Sequence, residues 1–315
     1  MKWKIIIPSV VLFVVIVLGL ILFALSAPKN FPVSTMYTIK NGVGLSLLSN
    51  DLVDKKIIKS PFLFKSFSVL FGGTKGIMAG DYVLAGKQNV ISIAYRFSSG
   101  DFRLVPVKVT IPEGLNIFEI AKLISEKFPK VDEKSFINTS EKDEGYLFPD
   151  TYLFLPNATA EVIIDETKSN FEKRIATLDE EIANFGRPLT EIIKMASIVE
   201  EEARTTDTRR VVADILWRRF TMGMPLQVDA SFKYINGKGT KDLTLDDLKI
   251  DSPYNSYLYK GLPPTPIANP GLDSIKATVT PIKTDYLYFL TDNEGNMHYA
   301  RTYNEHLLNK QKYLK

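Results

Sequence analysis

The chain has 315 residues, room for about two domains at the usual 100–200 residues each, and 24% charged with 45% hydrophobic residues exclude a disordered or fibrous polypeptide. Lys+Arg 39 against Asp+Glu 36 leaves a net charge of +3 with no basic run, which excludes the electrostatic footprint of a nucleic-acid binder. With no cysteine and two histidines, His298 and His306, thiol chemistry and a His-rich metal site are excluded; no cofactor is expected, and any chemistry must run on carboxylates, hydroxyls, amides, Lys and Arg.

Residues Ile5–Leu25 carry no charge over 21 positions, long enough to span a bilayer. Ala24-Leu25-Ser26 before Ala27 resembles a signal-peptide cleavage site, yet such peptides have apolar regions of roughly 7–15 residues, so a retained anchor is expected. Lys2 and Lys4 place its N-terminus in the cytoplasm and the rest outside. The expected domains are 1–27, a cytoplasmic tip and transmembrane anchor; 28–104, a tether and small lobe; and 105–315, a larger domain.

Pro28–Ser34 reads as a Pro-containing tether. Tyr37-Thr38-Ile39 reads as a strand, followed by helices carrying Leu45, Leu48 and Leu52, then Phe62, Leu63, Phe67 and Leu70 after a Ser60-Pro61 start. Met78–Leu84 is a turn into a strand, and Asn89–Ser99 a third helix; the Phe-rich helix 62–71 is read as core. At an offset of 72, Thr38-Ile39, Gly42, Leu45, Leu48 and Leu52 are echoed by Thr110-Ile111, Gly114, Ile117, Ile120 and Ile124, a strand, Gly turn and helix in both copies.

The segment 144–152 (Glu-Gly-Tyr-Leu-Phe-Pro-Asp-Thr-Tyr) fits neither a helix nor an alternating strand. Helices are predicted at about 160–178, 189–203 and 207–222, a long Pro/Gly/Asn-rich loop at 252–271, a hairpin over 286–300 and a closing helix over 305–313.

Glu200, Glu201 and Glu202 end an otherwise apolar helix. At 100° per residue Glu200 falls inside the apolar arc, Glu202 at its margin, and Glu201 with Lys194 and Ser197 on the opposite, wet face. A carboxyl held against apolar neighbours keeps its proton to higher pH, as a general acid requires. The competing reading makes these acids a solvated helix end or ion-pair partners of Arg204, Arg209 and Arg210. His298 and His306 read as surface or hydrogen-bonding residues, and Arg218-Arg219 as a solvated face.

Several segments in fixed order carry a resemblance: 144–152, Ala196–Glu200, Gly223–Asp229 (Gly-Met-Pro-Leu-Gln-Val-Asp), Ser252–Tyr257, Gly261–Gly271, Lys283–Phe289 and Glu305-His306. Together they make the chain similar to the YceG-like endolytic murein transglycosylases, membrane-anchored bacterial lyases of peptidoglycan. The resemblance implies an α+β fold with a single N-terminal transmembrane helix, a small LysM-like β-α-α-β lobe and a larger mixed α+β catalytic domain. It places the catalytic glutamate on Glu200, in agreement with the wheel, and substrate contacts on Gln227, Asp229, Ser252, Tyr254, Asn255, Glu144 and Tyr152. Arg218 stands where the family commonly has Asn, and Ala230-Ser231 where Pro-Thr is usual.

The implied reaction cuts the MurNAc-β-1,4-GlcNAc bond: one glutamate protonates the leaving oxygen, then deprotonates the muramoyl 6-hydroxyl, which closes a 1,6-anhydro ring. The implied partners are glycan strands, cell-wall synthases of the penicillin-binding type and the cytoplasmic membrane. The alternatives are a hydrolytic muramidase with Asp229 as second carboxylate and a non-catalytic wall-binding scaffold.

Overall fold

The computed structural model describes residues 3–72, 76–239 and 242–314, the side chains of 3–11 excepted. The chain divides into two compact units, Met1–Val105 and Pro106–Lys315.

The first unit begins with α1 (Trp3–Leu25). Residues 5–11 of the expected span have side chains outside the described set, and among the described residues no helix is long and apolar enough to cross a membrane. After α1 come β1 (Thr35–Ile39), α2 (Leu45–Asp54), α3 (Pro61–Gly72), β2 (Gly80–Leu84) and α4 (Val90–Ser99), a β-α-α-β unit with one added helix. The strands pair antiparallel from Thr35 opposite Leu84 to Ile39 opposite Gly80. Alternation turns Tyr37 and Ile39 onto a core with Leu48, Leu52, Phe64, Tyr82, Ile93 and Phe97. Asn89 caps α4 through the Ser92 N–H, and Gly100 ends it in the left-handed region.

Two expectations change here. The 28–34 segment is no free tether, because Phe31 is buried in the lobe core and the Ser34 N–H bonds the Leu84 carbonyl. Nor is α3 core throughout: Phe64 and Ser68 face inward, one turn apart against α4, which leaves Phe62, Val69 and Leu70 exposed on the far side.

The second unit runs β3 (Val107–Thr110), α5 (Ile117–Lys127), α6 (Glu133–Ser140), β4 (Thr151–Phe154), α7 (Ala160–Ile175), α8 (Asp179–Phe185), α9 (Leu189–Glu202), α10 (Thr206–Thr221), α11 (Ala230–Asn236), α12 (Leu272–Val279), β5 (Tyr288–Thr291), β6 (Met297–Ala300) and α13 (Tyr303–Tyr313). The architecture is mixed α+β, with β3 antiparallel to β4 and β5 to β6. Helices α6, α8, α11 and α12 are absent from the sequence reading because seven or eight residues hold too little of a 3.6-residue period. The end of the 144–152 motif, read as neither helix nor strand, enters β4. The echo at offset 72 recurs in the structure: Gly42 and Gly114 both take positive φ, +77° and +79°, and each sits in the turn between a strand and the helix that follows it.

One cluster packs β3 and β4 under α5 and α7. Helix α9 stands between two others, giving Met195, Ile198 and Val199 to a cluster with α10 and Ile192, Ile193 and Ala196 to one with α12. It is therefore buried on two sides, and its C-terminal turn carries Glu200.

Candidate active site

The short link after α9 sets the site. Ala203 is extended, its carbonyl accepts the Arg209 Nε at 3.2 Å, and Thr205 with Thr208 forms a capping box that starts α10. The last turn of α9 thus faces the first turn of α10, and Arg209 donates through Nη2 to Glu200 Oε1. The other oxygen, Oε2, accepts the Gly271 N–H at 2.8 Å, at the N-terminus of α12, where the helix dipole favours a negative charge.

Glu200 is only 5% exposed, but its neighbours are a guanidinium and an amide rather than the apolar wall the wheel suggested. The reason lies in Arg209, whose side chain is 11% exposed and reaches across the link; Nη1 bonds Asp273 at 2.7 Å, and Nη2 stands 3.8 Å from Glu113. Burial and the nearby Glu200 charge push the Glu113 carboxyl up from its ordinary value. Of the arginines that could pair with the acidic run, Arg209 is the one bonded to Glu200.

Glu201 and Glu202 also depart from the wheel. The face holding Glu201 is not wet: Ser197 beside it is fully buried and accepts the Ile267 N–H, while Glu201 faces Lys233 at 3.4 Å, and burial raises its carboxyl. Glu202 lies by the start of α11, and burial, then the Asp229 charge, push it up to about 7. Asp229 Oδ1 accepts the Tyr257 hydroxyl at 2.6 Å.

The residues assigned to substrate divide. Gln227 is exposed in a left-handed conformation, φ +51°, uncommon for a residue with a Cβ and held by its N–H to the Ser256 carbonyl and its Oε1 to Arg219. Tyr254 is half-buried, its hydroxyl on Thr265 and its ring 4.8 Å from that of Tyr234, and Ser252 Oγ accepts the Tyr254 N–H. Those three and Asp229 keep surface that a sugar could touch. Glu144, Tyr152 and Asn255 do not, and for them the contact role is corrected.

Asn255 is fully buried, its amide donating to the Leu248 and Ile250 carbonyls, so it staples the loop. Tyr152 lies in the β3–β4 core, donating to the Phe148 carbonyl. Glu144, 1% exposed, accepts the Ile117 N–H at the start of α5 and the Asn269 amide, and burial pushes it up to about 8. Arg219 is likewise no solvated residue: it is 5% exposed and donates to the Leu226 carbonyl.

Sequence reasoning missed Glu113 and Asp273, named Arg209 only as an ion-pair partner, and quoted Asn269 and Gly271 within 261–271 without giving them a role. Asn269 Oδ1 accepts the Gly145 and Leu147 N–H groups, while Nδ2 donates to the Leu115 carbonyl and Glu144. It thereby welds the 144–152 segment to the loop that delivers Gly271 to Glu200. The signal available was Asn269-Pro270-Gly271, a Pro-Gly pair before a short helix, and Pro112-Glu113-Gly114 at the echo's glycine.

A glutamate held where the end of α9 meets the starts of α10 and α12 defines a candidate carboxylate-based site, and comparison with known proteins gives the family in which it occurs. Residues 37–312 match the model of the YceG-like family, and the chain belongs to that family. It is 32% identical over 313 residues to an endolytic murein transglycosylase of Bacillus subtilis strain 168, covering 91% of this chain and 86% of that one. It is 29% identical to an endolytic murein transglycosylase of Streptococcus pneumoniae D39, where the match covers 85% of this chain and 56% of the longer relative. A crystal structure of a yceG-like protein from Listeria monocytogenes superposes with a TM-score of 0.58 at 30% identity, over 87% of this chain and 98% of that one.

Proposed function

We propose that the chain is an endolytic murein transglycosylase, cutting the MurNAc-β-1,4-GlcNAc bond within glycan strands to leave 1,6-anhydro-MurNAc ends. The observation that carries the chemistry is Glu200, with both carboxyl oxygens held at the junction of α9, α10 and α12. Glu200 gives its proton to the leaving glycosidic oxygen; the resulting carboxylate takes the proton of the muramoyl 6-hydroxyl as that oxygen attacks the anomeric carbon. One proton leaves the glutamate and one returns, and no water is consumed. The tethered hydroxyl has a large effective-concentration advantage over bulk water. Gln227, Asp229, Ser252 and Tyr254 bind the glycan, while Glu144, Tyr152 and Asn255 hold the walls.

Ile5–Leu25 acts as a single anchor in the bacterial cytoplasmic membrane, with the N-terminus in the cytoplasm and the chain after the anchor outside, a reading supported by an uncharged run long enough to span a bilayer. The β-α-α-β unit serves as a LysM-like glycan-gripping lobe, and wall synthases of the penicillin-binding type are the partners that supply nascent strands. Mass spectrometry of purified strands digested by the chain tests the reaction: products lighter by one water than hydrolytic ones are expected. Hydrolytic ends would instead make it a muramidase, and intact strands with retained binding would make it a scaffold.

A further inference from the structure

We infer that the second unit carries, apart from the Glu200 site, a binding site for a small organic anion, in a cavity where Arg218 and Lys283 take the oxyanion and Phe185 and Trp217 take the apolar part.

Three segments build the cavity. Helix α10 lends one face, since Asp214, Trp217, Arg218 and Thr221 follow the i, i+3, i+4, i+7 spacing that keeps side chains on one side of a helix. The end of α8 and the link to α9 bring Phe185 and Arg187, and the chain after α12 brings Lys283. The enclosed volume is about 390 Å³, at the lower end of the range for small-molecule sites. Arg218 follows Arg209 by nine residues, hence about 14 Å along α10 and half a turn round it, so the cavity and the Glu200 carboxyl use different faces of the same helix.

Charge in the cavity is unbalanced: its lining holds three cations, Arg187, Arg218 and Lys283, against one acid, Asp214. Arg187 is already answered, because it pairs with Glu191 at 3.1 Å, donates to the Thr221 hydroxyl at 3.3 Å and lies over the Trp217 ring at 4.5 Å. Asp214 is occupied too: its Oδ2 accepts the N–H and the hydroxyl of Thr284, and its Oδ1 stands 3.7 Å from Lys283 Nζ, beyond a good hydrogen bond. Lys283 is 84% exposed and keeps its donors available. The Arg218 side chain has neither a hydrogen bond nor an ion pair among the described residues, and its Nε is shut off from water with no acceptor. A buried donor left unpaired costs free energy, and an oxyanion seated against this guanidinium supplies the acceptor, its oxygens matching the planar fork.

The other half of the cavity is carbon. The rings of Phe185 and Trp217 stand 5.5 Å apart, and the indole N–H is spent on the Thr278 carbonyl, so what they present is apolar. A bare inorganic ion would use the charges and leave that wall wet. The ligand that answers both halves carries a carboxylate or a phosphate ester on an apolar body.

Trp217 reports on the site directly. The sequence has two tryptophans, so in the full-length chain with Trp3→Phe the emission is that of Trp217 alone. Phenylacetate and phenyl phosphate each put an oxyanion on an aromatic body, and 2-phenylethanol is an uncharged counterpart. At least one of the anions should shift the emission saturably, with a dissociation constant in the millimolar range or below, and the alcohol should not. The tighter anion identifies the oxyanion as a carboxylate or a phosphate ester. Arg218→Gln should weaken its binding by about tenfold or more, the loss of a charge-assisted hydrogen bond. Lys283→Gln should weaken it by roughly twofold to fivefold, as for an exposed charge, and being a surface change it keeps the test valid if Arg218→Gln fails to fold by circular dichroism. A loss in Arg218→Gln alone still assigns the anion to that guanidinium. The proposal is overturned if neither anion saturates by about 10 mM, if the alcohol binds as tightly as the anions, or if the anion binds undiminished to Lys283→Gln and to any folded Arg218→Gln.

Discussion

If Glu200 carries both proton transfers, as proposed, its loss should cost more than that of an ordinary catalytic group. Glu200→Gln keeps the shape and can still bond Arg209 or Gly271 but has no titrating proton. General acid–base help is worth about 10²–10⁴-fold, and the loss of anhydro product should lie at or above the top of that range. Retention of more than about a tenth of the activity would remove Glu200 from the mechanism. Asn269 is the structural counterpart, with every side-chain donor and acceptor used in the interior. Asn269→Ala orphans the Gly145 and Leu147 N–H groups and removes the amide from Glu144 Oε1, while the Leu115 carbonyl keeps the backbone N–H of residue 269, at about 1–3 kcal/mol for a buried unsatisfied group. Urea denaturation should show a loss of roughly 3 kcal/mol or more; a loss below about 1 kcal/mol would mean that water replaces the amide.

Between elements, burial of acids makes stability depend on pH. Glu144, at the start of α5, is pushed up to about 8, and Glu202, at the end of α9, to about 7, each from 4.5. An unfolded chain releases both protons near its ordinary values, while the folded chain holds them to about 7 and about 8. The unfolded state therefore binds fewer protons in this window, and stability falls as pH rises from about 4.5 until each folded value is passed. Acids held low, such as Asp150 beside Thr151 and Arg174, act in the opposite sense only near and below 3.8. The unfolding free energy from urea denaturation should be higher at pH 5 than at pH 8, by on the order of a few kcal/mol. Glu202→Gln should flatten the slope between pH 5 and 7; an unchanged slope would place that proton elsewhere.

The same scale shows what the sequence could tell. Strong periodicity over ten or more residues made α2, α4, α5, α7, α9 and α10 legible, and turn residues marked the 286–300 hairpin. For Glu200 the wheel was only partly right: it put the residue on a packed face, but α9 is packed on two faces, so Ser197 is buried and Glu201 half-buried as well. Arg209 and Asp273 were illegible as a pair because they meet beside Glu200 from two separate helix starts, Asp273 bonding Arg209 rather than the glutamate, a meeting that depends on tertiary packing. Glu144, Tyr152 and Asn255 carry the family pattern yet face inward; a motif records that a residue matters and leaves open whether it touches substrate or holds the wall.

Across the whole chain, each unit has its own hydrophobic core, one built on Leu52, Phe64 and Phe97 and the other on α9 with its neighbours. At 210 residues, Pro106–Lys315 is within the size at which a domain folds alone. Expressed by itself it should unfold cooperatively and retain the Glu200 site, since every residue bonded to that carboxyl lies inside it. If the smaller unit grips glycan, its contribution is avidity: a strand held at two places dissociates more slowly, provided that it is long enough to engage both. Removing 1–105 should then weaken cutting of long strands by about tenfold or more while leaving short fragments, which engage only one place, near the full-length rate. Turnover on both substrates, with purified strands sorted by length, decides the matter. Equal losses on long and short substrates would show that the first unit supports the catalytic unit's structure instead of binding the strand.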